Sequence, residues 1–190
     1  MKTLLSFILL FAIFVSCNSS NTPDAIDYAT KVAIPKVATD HTAIDNAEYW
    51  ITFPKTWRQE GDEGNGTVFT LYAPTNEDEM FEDNLSLGLE DMPTTSVTPE
   101  EYLASAKTMI GNVIENFIVL EEENVRNKHA PGRKIEYTGN IQGLEAKWKQ
   151  YVYIKNKKAY VLTFTCLNTP EAIKKHDAAS DKILNSFIIK

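Results

Sequence analysis

From residue 48 onward, apolar and polar positions alternate in short runs, with the period of two that a strand with one buried face requires. In Tyr49-Trp50-Ile51-Thr52-Phe53 the first, third and fifth positions share a face, and Pro54, which has no N–H to donate, ends the run. Trp50 then lies on the face opposite Phe53 and is the more open tryptophan, while Trp57 folds back over the strand's end. Residues 61–66, rich in Gly, Asp and Asn, predict a turn; 68–73 predict the next strand, and Leu85, Leu87 and Leu89 mark a third. The runs 134–139, 144–155 and 159–166, joined by Asn140-Ile141-Gln142-Gly143 and by Lys155-Asn156-Lys157-Lys158, predict an antiparallel meander. In its long strand Leu144, Ala146, Trp148, Val152 and Ile154 share the core face. Lys147, Lys149, Tyr151 and Tyr153 take the other. The tyrosines there suit a contact surface or cover by a helix, and the lysines, with Lys155, Lys157 and Lys158, a solvated strip that discourages aggregation.

Two segments switch to helical spacing. Thr98-Pro99-Glu100-Glu101 combines a capping threonine, a proline at the first helical position and a glutamate three residues after the cap. Leu103, Ala106, Ile110, Val113 and Phe117 follow it on one face. Thr169-Pro170-Glu171 starts the second helix in the same way, with Ile173, Ala179, Ile183 and Phe187 as its stripe. Both stripes need a sheet to bury them, so the expected class is α+β, an antiparallel sheet flanked by helices. Residues 25–45 show poor periodicity; Lys31-Val32-Ala33-Ile34 predicts a strand ended by Pro35.

The start of the chain follows a different rule. After Met1-Lys2-Thr3, an apolar run from Leu4 to Val15 leads to Ser16-Cys17, a secretory leader too short for the roughly 20 residues that span a bilayer. Phe14-Val15-Ser16-Cys17 resembles the lipobox of bacterial lipoproteins, with Phe14 where an aliphatic residue is usual. The resemblance implies that residues 1–16 are removed and that Cys17 carries lipid, tying the chain to a membrane that it does not cross. Residues 17–24 would be a polar tether and 25–190 one domain. In some lipoproteins an acidic run just after the cysteine accompanies export to the cell surface. Here the first acid is Asp24, which favours an outer-membrane anchor facing the periplasm.

Charge and cysteine count narrow the partners. Losing residues 1–16 removes one lysine and no acid, so the net charge of −7 becomes −8. That balance argues against nucleic acid and against electrostatic adhesion to anionic lipid. With Cys17 lipidated, Cys166 has no disulfide partner; between Phe164 and Leu167 it reads as a small buried residue of a strand.

Candidate chemistry is thin. His41, His129 and His176 sit in separate segments with no ligand-pair spacing, and no nucleophile elbow or phosphate-binding loop is present. Glu77-Asp78-Glu79-Met80-Phe81-Glu82-Asp83-Asn84 clusters the oxygens a hard cation needs, but lacks the spacing of a calcium loop and reads first as a solvated acidic connection. Glu121-Glu122-Glu123 continues a strand from Phe117-Ile118-Val119-Leu120.

Taken in order, Phe53-Pro54-Lys55-Thr56-Trp57, the strand Tyr160-Val161-Leu162-Thr163 and the closing Ile183-Leu184-Asn185-Ser186-Phe187 resemble the PsbP-like fold, a group that includes the DcrB-like bacterial lipoproteins. The likeness covers roughly residues 46–190. It implies an α/β/α sandwich serving as a binding or accessory module without catalysis or cofactor, with a protein or small ligand as partner. The alternative is a metal-dependent hydrolase or divalent-cation-binding protein built on the carboxylates of residues 77–83.

Overall fold

The structure is a computed structural model that describes residues 33–61, 66–76, 79, 81–94, 96–128 and 130–190. The leader, Cys17 and the tether lie outside the described residues, as do Lys31, Val32, most of the 61–66 turn and His129.

Local chemistry sets the second half. Strands β6 (Glu115–Asn127), β7 (Ala130–Ile141), β8 (Leu144–Lys155) and β9 (Lys158–Leu167) run as an antiparallel meander. Two-residue turns join the last three. Gln142 (φ 52°) and Gly143 (φ 83°) form one, Asn156 (φ 52°) and Lys157 (φ 60°) the other, all left-handed as the twist of a two-residue hairpin demands. Earlier come β1 (His41–Asp45), β2 (Tyr49–Pro54), β3 (Arg58–Glu60), β4 (Thr67–Tyr72) and β5 (Asn84–Asp91). β10 (Ile188–Ile189) ends the chain.

Helix α1 (Pro99–Val113) starts with a full capping box: the Glu101 amide donates to Thr98 Oγ1 at 3.2 Å and the Thr98 amide to Glu101 Oε2 at 2.9 Å. Helix α2 (Pro170–Ser186) is capped by Thr169, whose hydroxyl accepts from the Ala172 amide at 3.2 Å. The predicted apolar stripe of α1 overran its end. Val113 is 45 % exposed, and Phe117 lies beyond the helix in β6, where it packs edge-on against Tyr137.

Seven strands make one antiparallel sheet in the order β3-β4-β5-β9-β8-β7-β6, and three make a second, β1-β2-β10. Each face of the large sheet carries a core. On one, Tyr102, Leu103, Ala106 and Ile110 of α1 pack on Ile135, Tyr137, Trp148 and Val152, with Tyr137 and Trp148 stacked at 5.2 Å. On the other, Ile183 and Leu184 of α2 and Tyr49, Ile51 and Phe53 of the small sheet pack on Leu71, Leu85, Tyr151, Tyr153, Leu162 and Phe164. Gly139 allows the α1-to-β6 junction to approach: a Cβ there would sit 2.2 Å from Ile114 Cγ2 and 2.9 Å from the Glu115 carbonyl oxygen.

This arrangement corrects several expectations. Ala33 and Ile34 are not in a strand; the strand of that region is β1, seven residues later, paired with β2 from His41 opposite Pro54 to Asp45 opposite Trp50. Tyr151 and Tyr153 are buried, because β8 is an inner strand covered on both faces. Lys149 is only 3 % exposed and Lys147 is paired with Glu136 at 2.9 Å, so neither belongs to a solvated edge. The edges of the large sheet are the short β3 and the long β6, where Ile118, Val119 and Leu120 stand 58 %, 40 % and 55 % exposed beside two register shifts.

Candidate functional site

The acidic segment disperses its charges. Glu79 pairs with Lys175 and Glu82 with Arg58 at 3.0 Å, while Asp83 turns inward. Burial raises the Asp83 carboxyl to about 7, against the nearby Lys175 charge and the Leu167 amide that stabilise its ionised form. Glu77, Asp78 and Met80 lie outside the described residues. Among the described residues no three His, Cys, Asp or Glu side chains converge as metal ligands. Glu121, Glu122 and Glu123 are likewise tied down, to Lys134, to Lys107 and Arg133, and to Lys134.

The buried reactive types are structural. Burial pushes the Cys166 thiol up to about 12, so it stays protonated in the core. His176 is buried against the edge of Trp57 at 6.0 Å; desolvation and the Lys175 charge lower its pKa, while a hydrogen bond to the Pro74 backbone opposes them. Its Nε2 has no hydrogen-bond partner. With Asp83 on the Leu167 backbone and Glu79 on Lys175, these contacts fasten the chain before β5 onto the end of β9 and the first turns of α2. Trp57 caps the β2 end as expected, at 5 % exposure. Trp50, expected to be the open one, is 3 % exposed, on a central strand where it pairs with Asp45 of β1 and Ile188 of β10.

Trp50 is one of the residues that line a cleft. One wall is Pro35 to Ala38, the floor is Trp50 and Thr52 of β2 with Tyr153, Phe187 and Ile188, and the far wall is Arg126 to Lys128. Its volume is about 440 Å³, within the roughly 300–1,000 Å³ of small-molecule sites. Asn127 sets the corner, its amide donating to the Phe187 carbonyl at 2.6 Å and its oxygen accepting from the Ile189 amide at 3.3 Å. The large sheet's edge is thereby joined to the small sheet's last strand. The Lys128 ammonium donates to the Ala33 carbonyl at 3.0 Å and holds the strap in place. Sequence reasoning missed this cleft, since positions 36, 50, 126–128 and 187 meet only in the folded chain, through the pairing of β10 with β2, the Asn127 hydrogen bonds and the Lys128 contact with Ala33.

No family model matches this sequence, and a search of curated proteins returns no match. Solved structures do. CyanoP, the cyanobacterial PsbP of Synechocystis sp. PCC 6803, superposes with a TM-score of 0.58 at 13 % identity, over 84 % of this chain and 99 % of that one. LpqN, involved in cell envelope biogenesis of Mycobacterium tuberculosis, gives 0.58 at 12 % identity over 79 % and 90 %. PA94, a Pseudomonas aeruginosa protein of unknown function, gives 0.53 at 13 % over 76 % and 93 %. With its mostly antiparallel sheets and two helices, the chain has the PsbP-like α+β fold.

Proposed function

We propose that this protein is a lipid-anchored cell-envelope protein, held through Cys17 at the periplasmic face of the outer membrane, and that it acts as a non-catalytic binding or accessory module whose ligand enters the cleft over Trp50. The observation that carries this reading is the contrast between two kinds of polar group. Asp83, His176, Lys149 and the β6 glutamates are engaged in fastening elements together, whereas the cleft offers volume, aromatic floor and charged rim at one place. The fold it shares with CyanoP and with the envelope protein LpqN supports a module of this kind. Among the described residues no helix is long and apolar enough to cross a membrane.

Acyl labelling and membrane fractionation of Cys17→Ser test the anchor: the variant should lose label and move to the soluble fraction. Continued labelling and membrane association would refute it. Crosslinking in native membranes from a photoreactive residue at position 36, compared with one at position 174 on α2, tests the cleft. A product specific to position 36 is expected, and equal products from both would remove the cleft from the function.

A further inference from the structure

We infer that the cleft takes an amphipathic anion, a small molecule with an apolar body and a carboxylate or phosphate head. This rests on the reading of the cleft as the binding site. The chain has 26 acidic against 19 basic residues, yet among the described residues no Asp or Glu lines the cleft, and Lys36, Arg126 and Lys128 do. Asp40, next in sequence to the lining residue His41, has a carboxylate that accepts from His41 Nδ1 at 2.8 Å.

Outside the cleft, Arg58, Lys107, Arg133, Lys134, Lys147, Lys149, Lys158, Lys175 and Lys190 face a carboxylate, whereas Lys55 and Lys155 bind backbone carbonyls as Lys128 does. What sets the cleft apart is that three cations without a carboxylate line one opening. Among the described residues Lys36 and Arg126 face none, and Lys128 binds only the neutral Ala33 carbonyl, which leaves its charge uncompensated. Three like charges around one opening repel each other. An anion placed among them removes that repulsion and gains charge-assisted hydrogen bonds, with Arg126 able to supply a two-pronged one. Pro35 and Val37 add accessible apolar surface to the same cleft, backed by the nearly buried Trp50, Phe187 and Ile188. A bare inorganic anion would leave that surface wet, and a neutral amphiphile would leave the cations uncompensated. A molecule with both parts satisfies both walls.

The ligand could arrive as a free amphiphile or as the head of a membrane lipid, and the experiment separates these sources. The mature chain is titrated with dodecanoate, dodecyl phosphate, dodecanol and inorganic phosphate, read by calorimetry and by tryptophan fluorescence. It is also floated with vesicles of phosphatidylcholine, with and without phosphatidylglycerol. Dodecanoate or dodecyl phosphate should bind at least tenfold more tightly than dodecanol, and phosphate alone more weakly than either. Arg126→Gln with Lys128→Gln should weaken binding at least tenfold with Tm unchanged, while Lys182→Gln, away from the cleft, should change nothing. If only vesicles containing phosphatidylglycerol bind, and the double variant loses them, the anion is a lipid head and the inference stands. Equal binding of dodecanol and dodecanoate overturns the anionic specificity and leaves the binding module intact. Binding that Lys182→Gln weakens as much as the double variant, or no binding to any probe, overturns the inference, while crosslinking from position 36 still judges the module.

Discussion

Lys149 lies 2.9 Å from Asp177, and with Asp181 one turn further along α2 the two carboxylates hold a β8 lysine that is 3 % exposed. Burial works to lower its pKa, yet the hydrogen bonds to Asp181 and Asp177 keep it above the ordinary value. The carboxylates themselves are 42 % and 43 % exposed, so the two sides of the pair are unequal. Removing both acids with Asp177→Asn and Asp181→Asn strands a buried cation and should cost about 3 kcal/mol, whereas Lys149→Met frees acids that water can solvate and should cost about 1 kcal/mol. Urea denaturation of the variants checks the asymmetry, and equal losses would contradict it.

Asp83 predicts a pH dependence. Its carboxyl rises from 3.8 to about 7 on folding, chiefly through desolvation, so between these values the native state binds a proton that the unfolded state lacks. The contribution is therefore present in full below about pH 4 and declines as the pH rises through 7. Asp83→Asn, which keeps shape and acceptor, should flatten this part of the profile and exceed the wild type at pH 8 by about 2 kcal/mol. Thermal unfolding at intervals from pH 4 to 8 measures it.

Gly139 has no room for a side chain between β7 and the Ile114-Glu115 junction. Since one of the two close atoms is backbone, Gly139→Ala should destabilise by about 2 kcal/mol, read from the urea midpoint.

Lys157 holds φ at 60° in the β8–β9 turn, a conformation that strains any residue with a Cβ. Lys157→Gly should raise stability by about 0.5–1 kcal/mol, despite the greater freedom of glycine in the unfolded chain. A fall in Tm would contradict this account.

What could be read from the sequence was what neighbours in sequence decide. Thr98 and Thr169 cap their helices through residues three positions on, and the Asn156-Lys157 turn folds its own hairpin, so helix starts and meander are legible without the rest of the chain. Alternation along β8 separates Trp148 from Tyr151 but does not say that both faces are covered. The cover comes from α2, 28 and 32 residues beyond Lys149. The same limit hid the burial of Trp50, whose partners are Asp45 on one side and Ile188 on the other. Cys166 was legible because a small apolar side chain on an inner strand needs no distant partner. The charges of the cleft were not, since Lys36 and Arg126 are neighbours only in the folded chain.

The hydrogen bond from Lys128 to Ala33 places Ala33 beside the cleft. Sixteen peptide steps separate Ala33 from Cys17, at most roughly 55 Å of chain. With the proposed lipid on Cys17, that length is the upper limit of the leash between the anchor and the cleft proposed as the binding site. The cleft could then search only a shallow zone above the bilayer, and any ligand leaving that membrane would meet it at a local concentration set by the leash rather than by the volume of the compartment.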